Sequence, residues 1–179
     1  MSIYLRNFLR FCLIILLQVL ILNKITLRWW LAPSGFPIFI PYVYPLFILL
    51  LPFETPNALL FLLAFVLGLT IDAFYDTPGL HAAACVLLAM VRVIFINITV
   101  QKEGFDNEPE PTLSIMGFRW FIVYVLVLTL FHHFFLFNLE VFNLSDIQFT
   151  LSRVVLSTLF TVFLILISGL LFYRRKERK

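Results

Sequence analysis

The sequence predicts an all-α membrane protein with about six transmembrane helices and no soluble domain of its own. Of the 179 residues, 62% are hydrophobic and only 13% are charged, and the mean hydropathy is +1.02. A soluble domain usually has about 25% charged residues, and one of this size buries only about 70% of its surface. The apolar residues form long continuous runs rather than the alternating segments of a membrane β-barrel, which favours helices.

The predicted spans are apolar runs near the length of about 20 helical residues that crosses a bilayer. They cover residues 7–25, 40–51, 57–74, 80–98, 117–137 and 151–173. The first has no signal-peptide cleavage site and is expected to be retained as an anchor. Between the third and fourth, Thr77-Pro78-Gly79-Leu80 is a turn sequence, because Pro fixes φ at its second position and Gly permits positive φ at its third. These two spans should form a tight antiparallel hairpin, helped by the small residues of Ala82-Ala83-Ala84-Cys85.

The second span is expected to be short and to follow an irregular or interfacial segment. Prolines recur every four residues through the apolar stretch 31–51, at Pro33, Pro37, Pro41 and Pro45. Each proline inside a helix removes a backbone hydrogen bond, so 31–39 is predicted to be irregular and the span to end at Pro52. Such backbone must be covered by protein, because lipid offers it no hydrogen-bonding partner.

Two polar stretches and the distribution of basic residues predict the orientation. Residues 101–114 form an acidic loop, and residues 174–179 form a basic tail. With six spans, both termini share one side with the loop, and that side has nine basic residues: Arg6, Arg10, Lys102, Arg119, Arg174, Arg175, Lys176, Arg178 and Lys179. The other side has three: Lys24, Arg28 and Arg153. Because basic loops stay in the cytoplasm, the loop and both termini are predicted to be cytoplasmic. The net charge of +3 reflects the tail rather than a nucleic-acid partner.

Asp72 is the most informative polar residue, because ionisable side chains inside a span are costly and usually face a partner or a cavity. Arg153 begins the sixth span on the same side of the membrane and is the expected partner. Arg92 is the second candidate, about 10 Å further along the hairpin by helical rise. A structural ion pair or an interfacial carboxylate is favoured over a partner-binding role, and either is favoured over transport or catalysis.

The other chemistry-bearing patterns are weaker. Asp72 and Asp76 lie one helical turn apart, as in the Mg²⁺-binding motif of CDP-alcohol phosphatidyltransferases, but the upstream acidic pair and Ala-Arg dipeptide of that motif are missing. His132 and His133 point about 100° apart on a helix, so a helix contact is favoured over a shared metal ion. Cys12 and Cys85 lie in apolar runs without metal-ligand spacing. No catalytic residue, metal site or cofactor is therefore predicted.

Several pieces of the sequence together carry a resemblance to a known family. They are the proline-flanked stretch 41–52, Gly68-Leu69-Thr70-Ile71-Asp72-Ala73-Phe74, Thr77-Pro78-Gly79-Leu80-His81-Ala82-Ala83-Ala84, and Arg92. This pattern resembles the MreD family of bacterial rod-shape-determining membrane proteins. Length, six spans and a basic tail agree with that family over essentially the whole chain. Gly68, Asp72 and Gly79 are the motif positions carried over, without a chemical role.

The resemblance implies a non-enzymatic subunit of the peptidoglycan elongation machinery in the bacterial cytoplasmic membrane. The partners it implies are an MreC-like bitopic protein and, more widely, the actin-like MreB, the glycosyltransferase RodA and a class B penicillin-binding transpeptidase. MreD-like proteins are similar in fold to the substrate-binding subunits of energy-coupling-factor transporters, so a vitamin-type capture subunit is the alternative. Those subunits often carry an Ala-x-x-x-Ala docking motif on the first span, and 7–25 contains no alanine.

Overall fold

Most of the described part of the chain, 83% of it, is helical. The computed structural model describes residues 3–25, 39–103, 110–141 and 147–171, except the side chains of residues 3, 4 and 100–103. The helices are α1 (Ile3–Leu20), α2 (Leu46–Leu49), α3 (Asn57–Tyr75), α4 (Leu80–Glu103), α5 (Leu113–Met116), α6 (Phe118–Val141) and α7 (Ile147–Leu171), with a 3₁₀ turn at Leu22–Lys24. These ranges contain no strand, so the predicted all-α membrane class is confirmed.

Five of these helices are long and apolar enough to cross a membrane: α1, α3, α4, α6 and α7. The sequence prediction of a sixth helical span at 40–51 is wrong in its secondary structure, because only Leu46–Leu49 is helical there. Residues that precede proline avoid the helical conformation, which keeps Ile40 and Tyr44 out of a helix. Pro45 then stands just before α2, where its missing N–H costs nothing.

Residues 40–52, called the core segment below, lie inside the bundle. Nearly all of them are buried, and Tyr44, Ile48 and Leu49 are completely enclosed. The non-helical backbone of this segment is therefore covered by protein, which supplies the hydrogen bonds that lipid cannot. The predicted irregular stretch 31–39 lies outside the described residues except for its last position, as does the predicted tail 174–179.

The long helices surround the core segment as neighbours in chain order. α3 packs on α4, α4 on α6 and α6 on α7, while α1 packs on α3 and on α2. The core segment runs antiparallel to α1, since Gln18 bonds the segment at Pro41 and Arg10 bonds it at Leu50.

The bundle has two ends. At the Glu110 end, the beginning of α1 contacts Glu110, and Leu113 of α5 packs against Gly169 near the end of α7. The Asp72 end has the turn between α3 and α4, the end of α6 and the beginning of α7. The predicted loop at 101–114 is partly helical in its described residues, because α4 continues to Glu103 and α5 begins at Leu113. Residues 104–109 of that loop lie outside the described residues.

The predicted hairpin of the third and fourth spans is confirmed. Thr77 accepts a 3.1 Å hydrogen bond from the N–H of Leu80, and Gly79 has φ +83°, as the turn sequence requires. Asp76 ends α3 in the left-handed conformation, with φ +53°. A Cβ at Gly68 would lie 2.3 Å from the Cα of Ala82, so only glycine lets the two helices approach this closely.

Candidate functional site

Gln18 of α1 holds the first part of the core segment in place. Its side-chain oxygen accepts hydrogen bonds from the backbone N–H groups of Val43 (2.8 Å) and Tyr44 (3.4 Å). Its amide nitrogen donates to the carbonyl of Pro41 (3.1 Å) and to the hydroxyl of Tyr75 (3.0 Å). One buried side chain thus replaces the hydrogen bonds that a helix would have supplied to this stretch of backbone.

Two hydroxyls of α7 complete this support from the opposite side. Ser157 accepts a 3.2 Å hydrogen bond from the N–H of Ile40, and Thr161 accepts one of the same length from the N–H of Tyr42. All three supporting side chains, including Gln18, are fully buried. The core segment is therefore held between α1 and α7, by Gln18 on the first helix and by Ser157 and Thr161, which lie one turn apart, on the second.

Tyr44 joins two histidines from different helices. Its hydroxyl lies 2.7 Å from Nδ1 of His81 on α4 and 2.9 Å from Nε2 of His132 on α6. A hydroxyl has one proton to donate, so one imidazole accepts from Tyr44 and the other donates to it. His133 makes a separate 2.8 Å contact with the carbonyl of Thr129 on its own helix. The two adjacent histidines thus have different partners.

The predicted ion pair between Asp72 and an arginine is wrong. The Asp72 carboxylate is buried and accepts hydrogen bonds from the backbone N–H groups of His81 (2.8 Å) and Ala82 (3.0 Å) and from the hydroxyl of Thr77 (2.9 Å). These two N–H groups lie in the first turn of α4, where the helix dipole favours a negative charge. Asp72 therefore caps α4 across the hairpin. The backbone N–H groups stabilise its carboxylate in place of the expected cation.

Arg153, the expected partner of Asp72, pairs with Glu140 instead. The guanidinium donates to the Glu140 carboxylate at 2.9 Å and lies 4.4 Å above the ring of Phe137. Arg153 is completely buried, whereas Glu140 is partly exposed near the end of α6. Helices α6 and α7 are therefore joined by a salt bridge at the Asp72 end. The sequence did not indicate Glu140 as the partner of Arg153.

Arg92, the second candidate partner, binds backbone rather than a carboxylate. It donates hydrogen bonds to the carbonyls of Leu51 and Pro52 and to the hydroxyl of Tyr124. Tyr124 in turn donates to the carbonyl of Leu49 at 2.8 Å. Together these two side chains satisfy carbonyls at the end of the core segment, which a continuing helix would otherwise have bonded.

Glu110 is a buried charged residue that the sequence analysis did not single out. Arg6 forms a salt bridge with one oxygen of its carboxylate, and Arg10 approaches the other at 3.0 Å. Arg10 also reaches the carbonyl of Leu50 at 3.3 Å. The sequence did contain a sign of this site, because Arg6 and Arg10 lie one helical turn apart at the start of an apolar helix. Two cations in that position need an anion between them.

A cavity of about 210 Å³ lies at the Asp72 end of the bundle. The rings of Tyr42, Tyr75 and His81 form part of its wall, with their centroids 5.3–6.0 Å apart. Its other lining residues are Asn23, Ile40, Thr77, Leu80, Leu136 and Glu140. The cavity is thus next to the buried polar groups that hold the core segment.

The structure brings the predicted site residues together only in part. Gly68, Asp72 and Gly79 all shape the α3–α4 hairpin, whereas Arg92 and Arg153 serve other contacts. No group of three or more potential metal ligands from His, Cys, Asp and Glu occurs among the described residues. Within those residues the polar side chains act mainly on the backbone and on each other, which is an arrangement suited to holding a shape.

Comparison with protein-family models, with curated proteins and with solved structures finds no match to this chain.

Proposed function

We propose that this chain is a non-enzymatic subunit of the MreD type, which acts in the bacterial cytoplasmic membrane on cell-wall elongation. In this proposal it binds an MreC-like bitopic protein, within a machinery that includes MreB, RodA and a class B penicillin-binding transpeptidase. The proposal rests on the sequence pattern of Gly68, Asp72, Gly79 and Arg92. It is supported by the finding that these residues shape and brace the fold.

The observation that carries the non-enzymatic part is the use of the buried polar side chains. Gln18, Ser157 and Thr161 bond the N–H groups of the core segment, and Arg92 and Tyr124 bond its carbonyls. Side chains used in this way fix a scaffold and leave its outer faces for contacts. A membrane scaffold of this kind acts through the proteins it binds.

The outer helix faces supply candidate contact surfaces for a single-span partner. Every long helix exposes large apolar side chains, among them Leu13 of α1 (64% exposed), Val123 of α6 (51%) and Leu159 of α7 (56%). Helices associate in lipid through such faces by close packing. A single-span partner would contact one of these faces, and the others would remain in contact with lipid.

Photocrosslinking in a rod-shaped bacterium that depends on this chain tests the partner. A photoreactive amino acid is placed singly at Leu13, Met90, Val123 and Leu159, which lie on four different helices and are all exposed. We expect one helix face to capture a single-span protein of the MreC type, while the other positions serve as matched controls. We also expect depletion of the chain to convert rods to spheres. Capture of no such protein at any position, with rod shape retained on depletion, would contradict the proposal.

The second candidate is a small-molecule capture subunit of a transporter, for which the cavity at the Asp72 end would be the binding site. Its volume of about 210 Å³ is below the roughly 300–1,000 Å³ of pockets for drug-sized ligands. Purification separates the two candidates. A vitamin bound in near-stoichiometric amount, without an MreC-like protein, would support the transporter function.

A further inference from the structure

We propose that the cavity at the Asp72 end binds an organic ammonium group, supplied by a free amine or by a lipid headgroup. This inference goes beyond the partner-binding function and does not depend on it. It rests on three features of the described lining: its unpaired polar atoms, the Glu140 carboxylate beside aromatic rings, and its position along the bundle.

Two buried polar groups of the cavity wall have atoms open to a ligand. Tyr42 is only 4% exposed, and its hydroxyl has no hydrogen-bond partner among the described residues. By contrast, the hydroxyls of Tyr44, Tyr75 and Tyr124 each have a hydrogen-bond partner among the described residues. His81 is 1% exposed and uses Nδ1 to contact Tyr44, while its Nε2 has no partner among the described residues. Both side chains are therefore enclosed, and each has one polar atom that can still form a hydrogen bond.

The charge of the lining favours a cation. Glu140 is the one charged residue among the described residues that line the cavity. One of its oxygens receives Arg153, and the other has no partner among the described residues. The rings of Tyr42, Tyr75 and His81 lie beside it, and the negative faces of aromatic rings attract ammonium groups. A carboxylate beside clustered aromatic rings is the lining that such groups require.

The size and position of the cavity limit the ligand to a small molecule or a headgroup. Its volume of about 210 Å³ is far above the roughly 10–15 Å³ that admits one water molecule. Tyr75 is the last residue of α3, Leu80 is the first of α4, and Glu140 lies one residue before the end of α6. Because spanning helices end near the membrane surface, the cavity lies at the depth of lipid headgroups.

The test uses the full chain in nanodiscs made only of phosphatidylglycerol, with choline and ethanolamine as soluble probes. The control ligand is 3,3-dimethylbutanol, which has the shape of choline without its charge. Isothermal titration calorimetry should show binding of at least one amine and at least tenfold weaker binding of the neutral alcohol. Equal binding of choline and the neutral alcohol would overturn the proposal. It would also be overturned if neither amine bound at millimolar concentration in this lipid and the protein showed no preference for phosphatidylethanolamine in the second experiment.

A second arm distinguishes the lipid source. Nanodiscs with equal phosphatidylethanolamine and phosphatidylglycerol are analysed by native mass spectrometry after detergent exchange. Selective retention of one phosphatidylethanolamine per chain assigns the site to a headgroup, whereas binding of the soluble amine alone assigns it to a free ligand. Either result supports the ammonium chemistry.

Substitutions at Tyr75 place the ligand in this cavity. Tyr75→Phe keeps the ring and loses the hydroxyl bonded to Gln18, whereas Tyr75→Leu loses the ring. We expect Tyr75→Phe to bind the ammonium ligand within about threefold of the parent. Tyr75→Leu should bind it at least about tenfold more weakly, a loss within the range of a cation–π contact. Phe134→Leu, a change of an exposed ring on α6, is the matched control and should bind normally. Unchanged binding by Tyr75→Leu would place any bound amine elsewhere and overturn the assignment. Crosslinking to the single-span partner reports on the proposed function separately.

Discussion

Asp72 shows how a charged side chain lies between apolar helices without a countercharge. Its carboxylate accepts two backbone N–H groups of α4 and the hydroxyl of Thr77. The N-terminal N–H groups of a helix have no partners within the helix, so a carboxylate placed there satisfies both itself and the helix. The prediction of an arginine partner was wrong, because backbone N–H groups and a hydroxyl stabilise this carboxylate.

This geometry predicts the effects of substitutions at Asp72. Asp72→Ala leaves two buried N–H donors without acceptors, and each such donor costs about 1–3 kcal/mol. Asp72→Asn should cost less, because its amide oxygen still accepts one of them. Thermal unfolding of the detergent-solubilised protein, followed by circular dichroism, should rank stability as parent, then Asp72→Asn, then Asp72→Ala.

Two further variants serve as controls for the capping function. Asp76→Asn should unfold close to the parent, because Asp76 is exposed and asparagine tolerates its left-handed conformation. Exchange of charges in Asp72→Arg with Arg153→Asp should fail to restore stability, since the two residues have separate partners. Recovery of stability in that double variant would indicate that Asp72 and Arg153 form an ion pair.

At the scale of elements, the bundle combines a close helix hairpin with a non-helical core segment. The hairpin is stabilised by contacts that are local in sequence, because α3 and α4 are joined by a four-residue turn. The core segment depends on distant helices: Ile40 bonds Ser157, which is 117 positions away. The same physical requirement, that every buried N–H finds an acceptor, is met locally in one element and remotely in the other.

The two helical glycines in contact with neighbouring elements provide a matched test of helix packing. A Cβ at Gly68 would lie 2.3–2.6 Å from backbone atoms of His81 and Ala82, which cannot move without separating α3 from α4. Gly68→Ala should therefore destabilise the protein by about 1–3 kcal/mol, as overpacking usually does. A Cβ at Gly169 would lie 3.4 Å from a side-chain atom of Leu113, an ordinary contact.

Gly169→Ala should consequently be neutral or slightly stabilising, since alanine favours a helix over glycine by up to about 1 kcal/mol. Both variants are compared by unfolding midpoint in the same detergent. Equal destabilisation by the two changes would show that close approach at Gly68 is not what holds the hairpin.

At the scale of the whole molecule, charge is distributed unequally between the two ends of the bundle. Arg6 and Arg10 lie at the Glu110 end, where they share the Glu110 carboxylate. The beginning of α1 and the end of α7 meet at this same end, through Glu110 and Leu113. The beginning of α1 and the end of α7 therefore lie at the same end of the bundle, and the basic residues predict that this end is cytoplasmic.

Reporter insertions test this orientation. Alkaline phosphatase inserted within residues 101–114 should be inactive, because it would remain in the cytoplasm. The same reporter inserted in the turn at residues 77–78 should be active, which makes the two insertions controls for each other. High activity from the first insertion and low activity from the second would reverse the orientation.

The sequence by itself determined the membrane class, the approximate positions of the five long helices and the α3–α4 turn. Hydropathy and turn chemistry are properties of neighbouring residues, so they can be read along the chain. The prolines also predicted an irregular segment before the second span that needs cover from the protein, but residues 40–51 were expected to be helical, and only Leu46–Leu49 is.

Only the tertiary structure decided which groups supply that cover and which charges pair. Gln18, Ser157 and Thr161 support the core segment, and Glu140 rather than Asp72 receives Arg153. The physical reason is that a buried polar atom bonds whichever suitable group lies about 3 Å away. That neighbour is set by how the helices pack in three dimensions, and its separation along the chain does not reveal it.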